Sequence, residues 1–184
     1  PPRSTLFPYT TLFRSATKIE ISVNEDLIND CLKMQVKDNG IGMDAAMVVK
    51  VTDPFVTTRT TRKVGLGIPL LKEAAEFCNG GLTIKSTPGV GTEIEVAFQR
   101  SHIDRMPLGD LASTILSEIV AYPHIHWIFR YQVSEKEFVF DNQPIMEELG
   151  DIPITEPSIL AYVRELIEEG INNLKESTSF NVTY

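Results

Sequence analysis

Residues 36–44, V-K-D-N-G-I-G-M-D, place a carboxylate where a predicted strand ends, with two glycines close behind it. The strand end fixes Asp38, while Gly40 and Gly42 let the backbone come close to a flat ligand. A carboxylate oxygen in that position can accept a hydrogen bond from an exocyclic amine such as that of adenine. A tight turn without any ligand is the alternative, because such a turn also needs glycines.

A second segment, residues 53–72, carries hydroxyl groups and cations ahead of a Gly-Leu-Gly run where a helix is predicted to start. Backbone N–H groups at a helix N-terminus bind phosphate well. Four side chains of this segment could also reach a phosphate, with a solvated loop as the alternative: Thr58, Arg59, Arg62 and Lys63. A third segment, P-G-V-G-T at residues 88–92, predicts a hairpin turn that puts Thr92 on a strand.

Alternating apolar and polar residues predict the strands that hold these segments, and apolar residues at helical spacing predict the helices. In the first half, the predicted strands cover residues 18–23, 32–37, 82–86 and 92–98. We also predict a short helix capped by Asp44 and ending at residue 51. A second helix, over residues 65–77, has its apolar residues at Leu66, Leu70, Ala74 and Phe77.

The second half of the chain has a different order of elements. The pattern predicts helices over residues 108–121, 144–149 and 158–175 and a hairpin of strands at 126–133 and 137–140. Trp127, Phe129 and Tyr131 alternate along the first of these strands and are expected in the core. His124 and His126 would share the other face of that strand, and without a third ligand nearby we assign no metal to them.

The three segments together resemble the ATPase domain of sensor histidine kinases, which belong to the GHKL superfamily. In that domain a D-N-G-x-G-[IM] box, a D-P-F-[FV]-T-T-[KR] box, a G-L-G-L box and a final G-x-G-T follow one another at about the spacing found here over residues 16–99. The resemblance implies an α+β fold of the Bergerat type, an α/β sandwich with a mixed sheet and helices on one face. It also implies that ATP is the ligand, and a small α+β extension would follow the domain.

The resemblance also implies a role for individual residues. Asp38 would bind the adenine amine, with Thr92 supporting it from the neighbouring strand. Phe55 would anchor a lid, and Gly65 and Gly67 would meet the phosphates. The full set of expected ATP-binding residues is Asp38, Gly40, Gly42, Met43, Phe55, Thr58, Arg59, Lys63, Gly65, Leu66, Gly67 and Thr92.

The sequence departs from the family pattern in two places. Lys63 and Val64 precede Gly65, where histidine kinases usually carry a longer glycine run. Between Ala16 and Asp38 there is no room for the family's helix whose Asn ligates Mg²⁺. We therefore expect an N-terminally truncated domain that lacks the Mg²⁺ ligand and any general base, with Mg²⁺ bound in the intact protein only.

This expectation divides the chain into three parts. Residues 1–15 are expected to be a foreign or disordered segment, because their sequence resembles translated sequencing-adapter read-through. Residues 16–100 would be the C-terminal part of the ATPase domain. Residues 101–184 would be an extension of unknown role, similar to the tail of a group of bacterial ATP-binding proteins described only as histidine-kinase-like ATPases.

One histidine of the extension resembles a phosphoacceptor. The run S-H-I-D-R-M-P-L at residues 101–108 matches the acceptor box of histidine kinases, S-H-[ED]-[LI]-R-T-P-L, at five of eight positions. His102 would be the acceptor, Asp104 the carboxylate that orients it, and a helix would follow. A turn that joins two domains is the alternative.

Charge and composition limit the function classes that remain. Residues 101–184 hold 14 acidic and 5 basic side chains, a poor surface for nucleic acid. No apolar run is long enough to span a membrane, and Cys31 and Cys78 indicate reduced core residues of a cytoplasmic protein. We expect a histidine-kinase-like kinase or ATPase module, which in the intact protein forms a homodimer and meets a response regulator or another protein. The alternative is a GHKL ATPase or a nucleotide-gated regulatory module without kinase activity.

Overall fold

The structure is a computed structural model that describes residues 15–53 and 67–179. The described residues form one six-stranded sheet in the order β3-β4-β2-β1-β5-β6. Neighbouring strands are antiparallel except β1 and β5, which run parallel. The strands are β1 (Lys18–Asp26), β2 (Cys31–Asp38), β3 (Gly81–Thr87), β4 (Gly91–Gln99), β5 (His126–Val133) and β6 (Lys136–Asp141).

Five helices accompany the sheet in the described part of the chain. They are α1 (Ala45–Thr52), α2 (Gly67–Phe77), α3 (Leu111–Ala121), α4 (Gln143–Leu149) and α5 (Pro157–Ser179). Among these helices none is both long and apolar enough to cross a membrane. The mixed sheet with its helices confirms the predicted α+β fold.

The two faces of the sheet differ sharply in polarity. On one face, apolar strand residues join α2, α3 and α5 in a single core, with Trp127, Phe129 and Tyr131 at 0–1% exposure. The predicted core role of these three aromatic residues is thereby confirmed. On the other face, polar and charged side chains such as Glu20 and Arg130 line a shallow groove of about 280 Å³. The alternation seen in the sequence reflects this one-sided burial.

The extension is built onto the same sheet as the ATPase-like half. Strand β5 pairs with β1 over its whole length, from Lys18 opposite His126 to Glu25 opposite Val133. A partly buried network reinforces this seam, because Glu25 accepts hydrogen bonds from the Tyr131 hydroxyl and from Arg100. The predicted hairpin of the second half is confirmed as β5 and β6.

Helix α2 buries a different face from the one expected. Leu70, Ala74 and Phe77 are exposed, with Leu70 at 58% and Phe77 at 66%. The buried residues are instead Ile68, Pro69 and Ala75 in the helix and Cys78 directly after it. Two apolar stripes overlap in this helix, and contact with the sheet selects the one that carries Ala75 and Cys78. The prediction of the face was therefore wrong, although the helix itself was right.

Candidate functional site

Asp38 ends β2 with its side chain buried, at 6% exposure. Its carboxylate accepts a hydrogen bond of 2.8 Å from the Gly40 N–H. Burial raises the pKa of Asp38, and the backbone N–H groups of Gly40 and Thr92 only partly oppose that effect. The carboxylate is thus a desolvated acceptor whose local hydrogen bonds do not make up for the water it has lost.

The turn after Asp38 is pressed against the turn between β3 and β4. A Cβ atom at Gly42, whose φ is +65°, would lie 2.0 Å from the Thr87 carbonyl oxygen. A Cβ atom at Gly91, whose φ is +133°, would lie 2.0 Å from the Asp38 carbonyl oxygen. Only glycine fits at either position, so the two turns together form a tightly packed end of the sheet.

Thr92 lies opposite Asp38 in the register of β2 and β4, and it is 3% exposed. Its hydroxyl oxygen is 2.9 Å from the Ser86 hydroxyl oxygen. Ser86 also accepts a 2.7 Å hydrogen bond from the Met43 N–H. The structure therefore brings together Asp38, Gly40, Gly42, Met43 and Thr92, five residues that the sequence assigned to one site.

Two residues of this arrangement were missed at the sequence level. Ser86 lies in none of the four boxes, and its only signal was an inward-facing hydroxyl directly across the hairpin from Thr92. Asn39 accepts hydrogen bonds of 2.9 Å from both the Thr17 N–H and the Lys18 N–H. It also donates to the Thr17 hydroxyl, so it fastens the start of β1 to the turn.

A small second hydrophobic cluster holds α1 and α2 beside this turn. Asp44 caps α1 by accepting a 2.7 Å hydrogen bond from the Met47 N–H, which confirms the predicted cap. Ile68 and Ile94 are buried at the centre of the cluster. The partly buried residues around them are Met43, Val51, Leu82 and Ile84.

Six of the expected ATP-binding residues lie outside the described part of the chain. They are Phe55, Thr58, Arg59, Lys63, Gly65 and Leu66. Gly67 is the first described residue of α2. The expected lid and most of the expected phosphate contacts therefore stay predictions.

His102 lies in a turn after β4, and the helix predicted over residues 108–121 is confirmed as α3, which begins at Leu111. Its Nδ1 atom accepts the Asp104 N–H over 3.3 Å and lies 3.9 Å from the Asp104 carboxylate. The ring meets the Phe77 ring edge-on, with centroids 6.1 Å apart. The acceptor role stays a prediction.

The other two histidines do not share a strand face as expected. His126 begins β5 and bonds the Asp141 carboxylate over 2.8 Å, whereas His124 lies in the turn before the strand. Within residues 15–53 and 67–179, no three His, Cys, Asp or Glu side chains come together as a metal site requires.

Comparison with known families identifies the kind of domain that contains these residues. A family model described as "Histidine kinase-, DNA gyrase B-, and HSP90-like ATPase" matches residues 9–102, about half of the chain. The chain therefore belongs to this ATPase family, as the order of its motifs predicted. It carries a histidine-kinase-like ATPase domain, and ATP is the nucleotide that such domains bind.

Individual relatives are sensor proteins and sensor kinases of bacteria. A sensor protein of Shewanella frigidimarina (strain NCIMB 400) is 34% identical over 85 residues, which make up 46% of this chain and 13% of that protein. The sensor protein kinase WalK of Staphylococcus haemolyticus (strain JCSC1435) is 33% identical over 96 residues, or 50% of this chain and 16% of that protein. The sensor histidine kinase YxdK of Bacillus subtilis (strain 168) is 32% identical over 85 residues, which make up 44% of this chain and 26% of that protein. The chain thus matches about a quarter or less of each of these relatives.

Proposed function

We propose that residues 16–100 form the nucleotide-binding part of a histidine-kinase-type ATPase domain, with the adenine amine of ATP bound by Asp38. The observation that carries this proposal is the buried carboxylate at the end of β2, whose pKa is raised by desolvation. A ligand that brings a hydrogen-bond donor to such a carboxylate stabilises its ionised form, because the donor replaces the lost water. The exocyclic amine of adenine is a donor of this kind.

The glycines and Met43 complete the adenine end of the site in this proposal. Gly42 keeps the turn close to the sheet, Gly40 donates its N–H to Asp38, and Met43 joins the hydrophobic cluster beside the turn. An apolar wall next to one polar acceptor suits a flat base, which needs both stacking area and a fixed hydrogen bond. Thr92 supports Asp38 from the neighbouring strand.

The phosphate end of the proposed site rests on the sequence boxes and on the position of α2. Gly67 is the first described residue of α2, and we propose that backbone N–H groups at this end of the helix contact the phosphates. Phe55 is proposed to anchor a lid over the nucleotide. Thr58, Arg59, Lys63, Gly65 and Leu66 are proposed to contact the phosphates together with Gly67.

Bound Mg²⁺ would neutralise charge on the phosphates. We assign no ligand for it among residues 15–53 and 67–179, where no cluster of three suitable side chains occurs. For the intact protein we propose a cytoplasmic homodimer that works with a response regulator or another protein partner. Residues 101–184 are proposed to be an extension whose strands complete the sheet.

The test of the adenine contact is a titration of the intact protein with a fluorescent ATP analogue. We expect Asp38→Asn to weaken binding by about 1–3 kcal/mol, the typical cost of disturbing a charge-assisted hydrogen bond in a buried site. Asp26→Asn is the matched control, because Asp26 ends β1 at the opposite end of the sheet. Unchanged affinity in a folded Asp38→Asn protein would remove Asp38 from the site.

A second experiment separates a kinase from a nucleotide-gated module. The intact protein is incubated with γ-labelled ATP and then treated with acid or alkali, since phosphohistidine is labile in acid and survives alkali. Label with that profile supports the kinase, and its loss in His102→Gln but not in His124→Gln would identify the acceptor. ATP binding without such label would favour the module without kinase activity.

A further inference from the structure

Asn39 lies between Asp38 and Gly40, the two residues whose hydrogen bond closes the polar end of the proposed site. The pairing of β2 with β1 ends at Asp38, and from there the chain leaves the sheet. Beyond that point the Asn39 side chain replaces the backbone of β2 as the hydrogen-bond partner of β1. Its Oδ1 atom accepts the Thr17 N–H and the Lys18 N–H, each over 2.9 Å.

Two further hydrogen bonds fix the same residue. The Asn39 Nδ2 atom donates to the Thr17 hydroxyl over 2.9 Å, and the Asn39 backbone N–H donates to the Lys18 carbonyl over 3.3 Å. The partners themselves belong to the sheet, because Lys18 begins β1 and the Thr17 carbonyl accepts the His126 N–H over 2.9 Å. Both the side chain and the backbone of Asn39 are therefore held against a rigid element.

The location of these hydrogen bonds indicates a role in positioning more than in stability. Asn39 and Thr17 are exposed, so water can replace their hydrogen bonds and the bonds add little to the free energy of folding. Water cannot replace the direction that they impose on the next peptide unit. There the buried Gly40 donates its N–H to the Asp38 carboxylate over 2.8 Å. A turn free to rotate at Asn39 would not hold this carboxylate in one geometry.

On the basis of the proposed ATP function, we infer that Asn39 is a positioning residue that links nucleotide binding at Asp38 to the hydrogen bonds at the start of β1. It acts through the turn that joins Asp38 to Gly40, while its own side chain bonds Thr17 and Lys18. Such a link works in both directions. Loss of the Asn39 side chain weakens ATP binding, and bound ATP in turn makes the hydrogen bonds of the Thr17 and Lys18 amides open less often.

The first experiment titrates the intact protein with a fluorescent ATP analogue. We expect Asn39→Ala to lower the affinity about tenfold, equal to about 1.4 kcal/mol, with little change in the urea midpoint of the ligand-free protein. Asn39→Asp keeps an oxygen that accepts both N–H groups and should retain most of the affinity, whereas Asn39→Gln, one methylene longer, should not. Asn79→Ala is the matched control: Asn79 is also exposed and precedes a glycine, but it bonds Gln99 at the opposite end of the sheet.

The second experiment measures amide hydrogen exchange of the intact protein by NMR. In the wild type, saturating ATP should slow exchange at the Thr17 and Lys18 amides, which bond Asn39. In Asn39→Ala, both amides should exchange faster, and saturating ATP should not slow them. A residue that served the fold alone would change their exchange by the same factor with and without ATP.

The possible results separate this inference from the proposed function. If Asn39→Ala binds ATP as the wild type does, or if ATP leaves the exchange of Thr17 and Lys18 unchanged in the wild type, the role of Asn39 is refuted while ATP binding through Asp38 stands. The role is refuted as well if Asn39→Asp loses as much affinity as Asn39→Ala, or if Asn79→Ala loses as much. If the wild-type protein binds no ATP, the proposed function is wrong and the inference about Asn39 falls with it.

Discussion

The nucleotide half (residues 16–100) and the extension (residues 101–184) each bury a polar side chain at an end of a strand. The hydrogen bonds of that side chain are satisfied in the extension but not in the nucleotide half. In the extension, Asn142 is 0% exposed, accepts from the Trp127 N–H over 2.8 Å and donates to the Ile125 carbonyl over 3.0 Å. In the nucleotide half, Asp38 is 6% exposed, and its backbone partners do not offset its burial. A buried polar group with satisfied hydrogen bonds stabilises a fold, whereas one left short of donors is suited to a ligand.

The largest effect on stability should come from Gly42, the glycine that lets the two turns at the end of the sheet pack together. We expect Gly42→Ala to lower the free energy of unfolding by about 3 kcal/mol or more, because its Cβ atom would overlap the Thr87 carbonyl. Urea denaturation measures the loss. Gly89→Ala is the control: Gly89 also has a positive φ, +76°, but open space around it, so we expect a cost of about 1–2 kcal/mol. Equal costs for the two variants would show that the turns are not tightly packed.

Removing the Asn142 side chain of the extension should have the next largest effect on stability and no effect on nucleotide affinity. We expect Asn142→Ala to cost about 2–4 kcal/mol, since two buried backbone groups lose their partners. The ATP affinity of the folded protein should stay unchanged. Asn172→Ala is the control because Asn172 is exposed on α5. A large fall in ATP affinity in Asn142→Ala would contradict the division of roles between the two halves.

Replacing Asp38 should have the smallest effect on stability, and its direction depends on pH. The pKa of Asp38 is raised in the folded state, so its stabilising contribution is present below the ordinary aspartate pKa and is lost as pH rises through the folded value. At neutral pH the buried, ionised carboxylate lowers stability, whereas an uncharged amide at this position would not. We therefore expect the ligand-free Asp38→Asn protein to be at least as stable as the wild type at pH 7.

The check is to compare urea midpoints of the wild type and Asp38→Asn at pH 4 and at pH 7. The difference should grow in favour of the variant as pH rises, and saturating ATP should reverse it at pH 7 because ATP stabilises the protein that binds it more tightly. A variant less stable than the wild type by the same amount at both pH values would mean that Asp38 serves the fold.

The sequence predicted the parts of this molecule that depend on local pattern. Alternation located β1, β2 and β4, and the spacing of Asp38, Gly42 and Thr92 located the centre of the candidate site. The same reasoning chose the wrong face of α2, because two apolar stripes overlap and only contact with the sheet decides between them.

Contacts between distant parts of the chain were beyond such reasoning. Ser86 meets the Met43 N–H across 43 positions, and Asn39 meets Thr17 across 22. Neither serine nor asparagine carries a signal that names its partner, since both residue types are common in turns and on surfaces. The pairing of β5 with β1 was likewise missed, although each strand was predicted separately.

The parallel pairing of β1 with β5 also affects how this chain reaches its native state. The paired residues are 108 positions apart, as in Asn24 and Gln132, so the contact closes a very long loop. The entropy of closing that loop must be overcome before the pairing stabilises the chain, which slows folding. During synthesis, β1 and β2 emerge long before β5, and one edge of β1 stays unpaired in that interval. The nascent chain thus passes through a stage in which one edge of β1 is open to pairing with other chains, and this stage ends when β5 pairs with β1.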